Sequence, residues 1–107
     1  MTKITYIKQD DYFHLKVDGH AGYAEKGADI VCAAVSALCC TLASRVTDIL
    51  DSTQYDIHVD RKDGIMSIVC KGAKAMDAFE TVLPGLEQAA VAFPEYVSIR
   101  DITNGGV

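Results

Sequence analysis

The chain has 107 residues, of which 50% are hydrophobic and 23% are charged, and its formal net charge is −5. This length and composition are typical of one globular domain with its own core, so we expect a single domain over residues 1–107 and exclude a disordered chain. Because 15 acidic residues outnumber 10 basic ones, and no basic cluster interrupts them, direct nucleic-acid binding is disfavoured and a basic partner is favoured.

The N-terminal sequence and the cysteine spacing argue against membrane, secreted, metal-binding and disulfide-rich proteins. No apolar run approaches the roughly 20 residues that cross a bilayer. The opening MTKITYIKQDDYF carries charges where a signal peptide needs an apolar core, so we expect a cytoplasmic protein without membrane contact. The four cysteines show no CxxC spacing, and we therefore expect reduced thiols, with no metal site, disulfide framework or cofactor.

The predicted elements begin with two strands, at residues 3–8 and 12–18, joined by a polar turn. Apolar residues then recur at three- and four-residue steps from Ile30 to about Asp51, which predicts a long amphipathic helix. A hairpin follows, with strands at residues 55–60 and 65–71 around a turn that ends in glycine.

A second helix is predicted through residue 93, with a bend but no break at Pro84 and a stop at Pro94. Residues 96–102 form the last strand, and residues 104–107 are a frayed tail. The predicted fold is therefore α+β: one compact domain of order β-β-α-β-β-α-β, with a mostly antiparallel sheet packed by two helices.

A candidate site lies where the second strand gives way to the first helix. His20 follows the strand, Cys32 falls in the first helical turn, and the loop between them contains Gly22 and Gly27, with Gly19 just before it. The helix dipole and free amides favour a thiolate at Cys32. If the loop folds back, the pair meets at the sheet's edge. His20 can then accept the thiol proton and pass it to a leaving amine, while helix-start amides stabilise an oxyanion.

Two neighbouring residues have open roles. Asp29 either caps the helix or orients His20, and both roles require it at the same place. Ser36 lies one turn below Cys32 on the same helix face, where its hydroxyl either contacts the pair or bonds back to a backbone carbonyl. Cys39, Cys40 and Cys70 are interpreted as core or supporting residues.

The segments GHAG at residues 19–22 and GADIVCAAVS at residues 27–36, with GLE at 85–87, closely resemble the ribosomal-processing cysteine protease family, called Prp. The resemblance covers almost the whole chain. It implies a cysteine endopeptidase that removes the N-terminal extension of the bacterial large-subunit ribosomal protein L twenty-seven, cutting after an aromatic residue. His20 and Cys32 match the family's catalytic dyad, and Asp29 and Ser36 match its accompanying positions. The resemblance also implies a homodimer with a mobile loop, here residues 19–28, over the site.

Two other functions remain as alternatives. One is a non-catalytic module bound at the ribosome, in which Cys32 and His20 are structural. The other is a thiol redox sensor that pairs Cys32 with Cys39 or Cys40. Residues seven or eight apart on one helix are separated by roughly 10–12 Å along its axis, too far for a disulfide without unwinding, so the sensor is less favoured.

Overall fold

The structure, a computed structural model, describes residues 1–25 and 28–105. Gly27 of the predicted loop and Gly106 and Val107 of the predicted tail lie outside the described residues. The elements are β1 (Thr2–Gln9), β2 (Tyr12–Asp18), α1 (Ile30–Ile49), β3 (Tyr55–Asp60), β4 (Ile65–Lys71), α2 (Ala73–Ala92) and β5 (Val97–Asp101). The predicted order is confirmed, and the two helices end within about two residues of the predicted positions.

The five strands form one sheet in the order β3-β4-β2-β1-β5. Neighbouring strands are antiparallel except β1 and β5, which are parallel, with Thr2 opposite Val97. The register pairs Val17 with Ile4 and Leu15 with Ile68, so the buried strand side chains share one face. The two helices cover that face, which confirms the prediction of a mostly antiparallel sheet packed by two helices.

An aromatic stack joins α2 to the sheet. The ring of Phe79, fully buried, stacks on Phe13 with centroids 4.6 Å apart and meets Tyr6 edge-on at 5.6 Å. α2 continues through Pro84 as one helix of 20 residues, as predicted. The next residue, Gly85, admits the Leu38 side chain of α1, because a β-carbon there would lie 3.0 Å from Leu38 Cδ2. The helices therefore make close contact at a position where α2 has no side chain.

Among the described residues, α1 is the one helix that is long and apolar enough to cross a membrane, with 20 residues and a mean hydropathy of 1.8. The expectation that no stretch approaches this length is therefore wrong, because small apolar residues keep the hydropathy high between scattered polar ones. Length and composition alone are weak evidence, since a core helix passes the same test. The buried residues of α1 form one stripe in the domain core: Val31, Val35, Cys39, Leu42 and Val46.

Candidate active site

His20 and Cys32 lie side by side. His20 is the second residue after β2 and is exposed, whereas Cys32 is half-buried in the first turn of α1. Nδ1 of His20 is 4.0 Å from Sγ of Cys32, the outer limit of a hydrogen bond to sulfur. Catalytic contacts in unliganded enzymes are often this long and tighten when substrate binds. The structure therefore places a thiol and a potential general base within reach of each other.

The site lies at the end of β2, the middle strand of the sheet. β2 is flanked by β4 and β1, a pairing that depends on contacts far apart in sequence. The backbone of Gly19, just before His20, is held from both sides. Its N–H donates to the Gly64 carbonyl at 3.0 Å, and its carbonyl accepts from the Thr2 hydroxyl at 3.0 Å. These two hydrogen bonds fix the backbone position from which the His20 side chain projects.

A backbone carbonyl orients the His20 ring. Nε2 of His20 is 3.2 Å from the Lys62 carbonyl oxygen in the β3–β4 turn. Because a carbonyl only accepts, Nε2 must carry the proton, and the neutral ring then turns an unprotonated Nδ1 towards Cys32. Sequence reasoning assigned residues 61–64 to a hairpin turn and missed this contact.

Asp29 is the N-cap of α1. Its Oδ1 accepts from the Cys32 N–H at 2.9 Å, and its Oδ2 accepts from the Tyr23 N–H at 3.1 Å. Partial desolvation raises the pKa of Asp29, but the backbone N–H groups outweigh it together, and the net pKa is lowered. Among the described residues no hydrogen bond joins Asp29 to His20. Asp29 therefore caps α1 and also holds the loop backbone at Tyr23 by a hydrogen bond.

The same cap occupies the amides that sequence reasoning assigned to an oxyanion site. The Cys32 N–H donates to the Asp29 carboxylate, and the Ala33 N–H donates to the Asp29 carbonyl oxygen at 3.1 Å. In this arrangement neither amide is available to a substrate oxygen. Any oxyanion stabilisation by these two groups requires Asp29 to move first.

Asp29→Ala is expected to destabilise the fold by about 1 kcal/mol at pH 7, the usual effect of losing an N-cap. The folded-state pKa of Asp29 is lowered, so its ionised form contributes stability above the ordinary value of about 3.9, and this contribution is lost as pH falls through the lower folded pKa. Urea unfolding at pH 7 and pH 3 measures this. Asp29→Asn keeps a capping oxygen without the charge, and should lose less stability at pH 7 and show a flatter acid dependence. Equal acid dependence in wild type and Asp29→Asn would contradict the assignment.

Ser36 and the loop complete the predicted site. Ser36 is exposed, and among the described residues it makes no hydrogen bond to His20 or to the Cys32 carbonyl. Gly19 and Gly22 have positive φ angles of 89° and 75°, conformations that favour glycine. The loop's mobility stays a prediction.

An aromatic contact anchors the described part of the loop. The Tyr23 ring, 43% exposed, meets Tyr96 edge-on at 5.2 Å and Phe93 at 5.8 Å. Sequence reasoning missed this cluster, since its members are far apart in the chain. Tyr23 thus holds the loop by its ring, while its amide donates to Asp29.

The remaining thiols differ from Cys32. Burial raises the pKa of Cys39 to about 12, with a smaller contribution from Cys40, and raises the pKa of Cys70 to about 11. Both stay protonated and unreactive at neutral pH, which supports their interpretation as core residues and weakens a redox pairing of Cys32 with Cys39. Cys40 is exposed, so its interpretation as a core residue is wrong. Within residues 1–25 and 28–105, no group of three or more His, Cys, Asp or Glu side chains could hold a metal ion.

A free thiol in the first turn of a helix, with an imidazole nitrogen 4.0 Å from its sulfur, is the arrangement of enzymes that use a cysteine nucleophile. The model of one such family, the cysteine protease Prp, matches residues 1–98. The chain belongs to the Prp family of cysteine proteases.

Individual relatives agree with this assignment. The ribosomal processing cysteine protease Prp of Mycoplasma pneumoniae is 31% identical over 87 residues, covering 81% of this chain and 85% of the relative. The S. aureus ribosomal processing protease Prp, solved with a covalently linked product peptide, is 24% identical with a TM-score of 0.84, covering 94% of this chain and 99% of its own. A Streptococcus mutans structure is 28% identical with a TM-score of 0.75 and covers 94% and 93%. These structures share the fold described above.

Proposed function

We propose that this protease removes the N-terminal extension of the bacterial ribosomal protein L twenty-seven, with His20 and Cys32 as its catalytic dyad. The observation that carries the proposal is the contact between His20 Nδ1 and Cys32 Sγ at the start of α1. The names of two relatives support a ribosomal substrate, since both the M. pneumoniae and the S. aureus proteins are described as ribosomal processing proteases. The S. aureus protein has also been solved with a substrate peptide.

The chemistry follows from the two facing atoms. His20 Nδ1 takes the Cys32 thiol proton, and the sulfur forms a bond to the scissile carbonyl carbon. When the tetrahedral intermediate collapses, the C–N bond breaks, and the proton on Nδ1 passes to the leaving amine. His20 Nδ1 then takes a proton from water as the water oxygen attacks the thioester carbon. When this second intermediate collapses, the C–S bond breaks, the Nδ1 proton returns to the Cys32 sulfur, and the new carboxyl group loses its proton to solvent. Throughout, Nε2 keeps its proton and donates it in a hydrogen bond to the Lys62 carbonyl oxygen, so the ring acts through Nδ1 alone.

The acidic surface and the loop fit this substrate. A net charge of −5 attracts a basic ribosomal protein and accelerates its encounter with the enzyme. The 19–28 loop contains His20 and precedes Cys32 in the sequence, and we propose that it orders when the extension docks, either as an added strand or in a groove. A homodimer, which the family resemblance implies, and a cytoplasmic location belong to the same proposal.

Intact mass spectrometry tests the proposal. The purified protein and its Cys32→Ala variant are incubated with extended L twenty-seven, and Cys40→Ala, which removes an exposed thiol from the same helix, is the matched control. We expect wild type and Cys40→Ala to release one defined N-terminal peptide and Cys32→Ala to release none. Binding without cleavage by any form would instead favour the non-catalytic ribosome-associated alternative.

A further inference from the structure

The β3–β4 turn, residues 60–64, packs against the catalytic imidazole. The Lys62 carbonyl oxygen accepts from His20 Nε2 at 3.2 Å. Gly64 lies so close that a β-carbon there would sit 3.0 Å from both Cε1 and Nδ1 of His20. Its carbonyl also accepts from the Gly19 N–H at 3.0 Å. The turn therefore touches the ring edge, its Nε2 proton and the backbone that precedes it.

The Asp60 side chain stabilises this turn by hydrogen bonds to its backbone. Its Oδ1 accepts from the Lys62 N–H at 3.1 Å and from the Asp63 N–H at 3.2 Å. Gly64 closes the turn with a φ of 66°, a left-handed conformation that favours glycine. One carboxylate oxygen thus fixes the peptide units on both sides of the Lys62 carbon, and with them the direction of the Lys62 carbonyl.

We infer that the β3–β4 turn is the positioning element of the dyad: the Lys62 carbonyl holds His20 in its Nε2-protonated form, and Asp60 holds that carbonyl in place. This inference rests on the proposed His20–Cys32 chemistry. In many catalytic triads a side-chain carboxylate or amide fixes the tautomer of the histidine. Here the carboxylate of Asp29, which contacts Cys32, accepts from backbone amides among the described residues and does not contact His20. A backbone carbonyl takes the orienting role.

The consequence for the reaction is specific. If the turn loosens, Nε2 loses its fixed acceptor, and part of the neutral ring changes to the Nδ1-protonated form, whose Nδ1 cannot accept the thiol proton. Nε2 faces the Lys62 carbonyl and not the thiol, so we expect KM to change little while kcat falls. A misplaced general base typically costs roughly 10- to 100-fold in rate.

Two matched pairs of variants test this. Asp60→Ala removes the oxygen that holds the turn, whereas Asp60→Asn keeps an oxygen acceptor in the same place. Gly64→Ala puts a methyl group against the imidazole, whereas Gly105→Ala meets a similar φ of 70° but has no neighbour within 4 Å of its β-carbon. Comparing Gly64→Ala with Gly105→Ala separates the effect of contact with His20 from the effect of backbone strain.

The readouts are the ¹⁵N shifts of the His20 ring in labelled full-length protein and the pH profile of Cys32 alkylation by iodoacetamide, mapped by mass. We expect Asp60→Ala and Gly64→Ala to move both readouts and to lower kcat roughly 10- to 100-fold. Asp60→Asn should recover most of the change, and Gly105→Ala should match wild type. Wild-type ring shifts and alkylation in folded Asp60→Ala and Gly64→Ala would overturn the inference. If Asp60→Ala does not fold, the glycine pair decides.

These readouts need no protein substrate. If the ring shifts and alkylation respond as expected but L twenty-seven is not cleaved, the positioning role stands and the proposed substrate is wrong. If wild type cleaves L twenty-seven while the turn variants behave normally, the proposed function stands and this inference fails.

Discussion

Replacing Cys32 with serine is expected to remove nearly all turnover, with a loss in kcat on the order of 10⁴-fold or more, the scale seen when a protease loses its nucleophile. Serine has almost the same shape as cysteine, but its hydroxyl ionises far less readily than a thiol. The Cys32 N–H to Asp29 bond involves only the backbone at position 32, so the helix cap should survive the change. Single-turnover cleavage of the extended substrate measures the effect.

Cys40→Ser is the control for this experiment, because Cys40 is exposed on the same helix but has no contact with His20 among the described residues. It should cleave at the wild-type rate. Substantial activity in Cys32→Ser would move the nucleophile to another residue and leave the His20–Cys32 contact without a catalytic role.

Phe79→Ala is expected to cost about 3–5 kcal/mol in free energy of unfolding, the usual range for truncating a buried aromatic residue. The ring is fully buried, stacks on Phe13 and meets Tyr6 edge-on, so its loss leaves a cavity between α2 and the sheet. A domain of this size is stable by only about 5–15 kcal/mol, so the variant should be close to unfolding at 37 °C. Urea denaturation followed by circular dichroism measures the difference.

Val91→Ala on the same helix is the matched comparison, since Val91 is 73% exposed. Its effect should stay within about 0.5 kcal/mol. A loss below about 1 kcal/mol for Phe79→Ala would mean that the aromatic stack does not hold α2 on the sheet.

The helices and strands could be predicted because their signals are local. Period-two and three-to-four-residue patterns, together with Pro94, gave the element order and most boundaries. The strand order and the parallel pairing of β5 could not be predicted, because they depend on which distant strands bury each other's faces. The length and hydropathy of α1 were not predicted, because its apolar stretch is interrupted by single polar residues that leave the mean hydropathy high.

The residues of the candidate site also differ in whether the sequence alone could identify them. His20 and Cys32 were identifiable from a thiol at a helix start, a loop with glycines and a family resemblance. The Lys62 carbonyl was not, because it reaches His20 only through the β2–β4 register, which sets Asp18 opposite Ile65 and hence Gly19 beside Gly64. For Asp29 the sequence left two roles open, and only the positions of its two oxygens separate them.

The parallel pairing of the first and last strands links the dyad to the order of synthesis. Thr2, whose hydroxyl bonds to the Gly19 carbonyl, also donates its N–H to the Tyr96 carbonyl at 2.8 Å, immediately before β5. During translation β1 emerges first but remains an unpaired edge on that side until residues 97–101 follow. The backbone beneath His20 is therefore braced on both sides of Thr2 only after β5 has been made, so the geometry of the dyad depends on the last strand as well as the first.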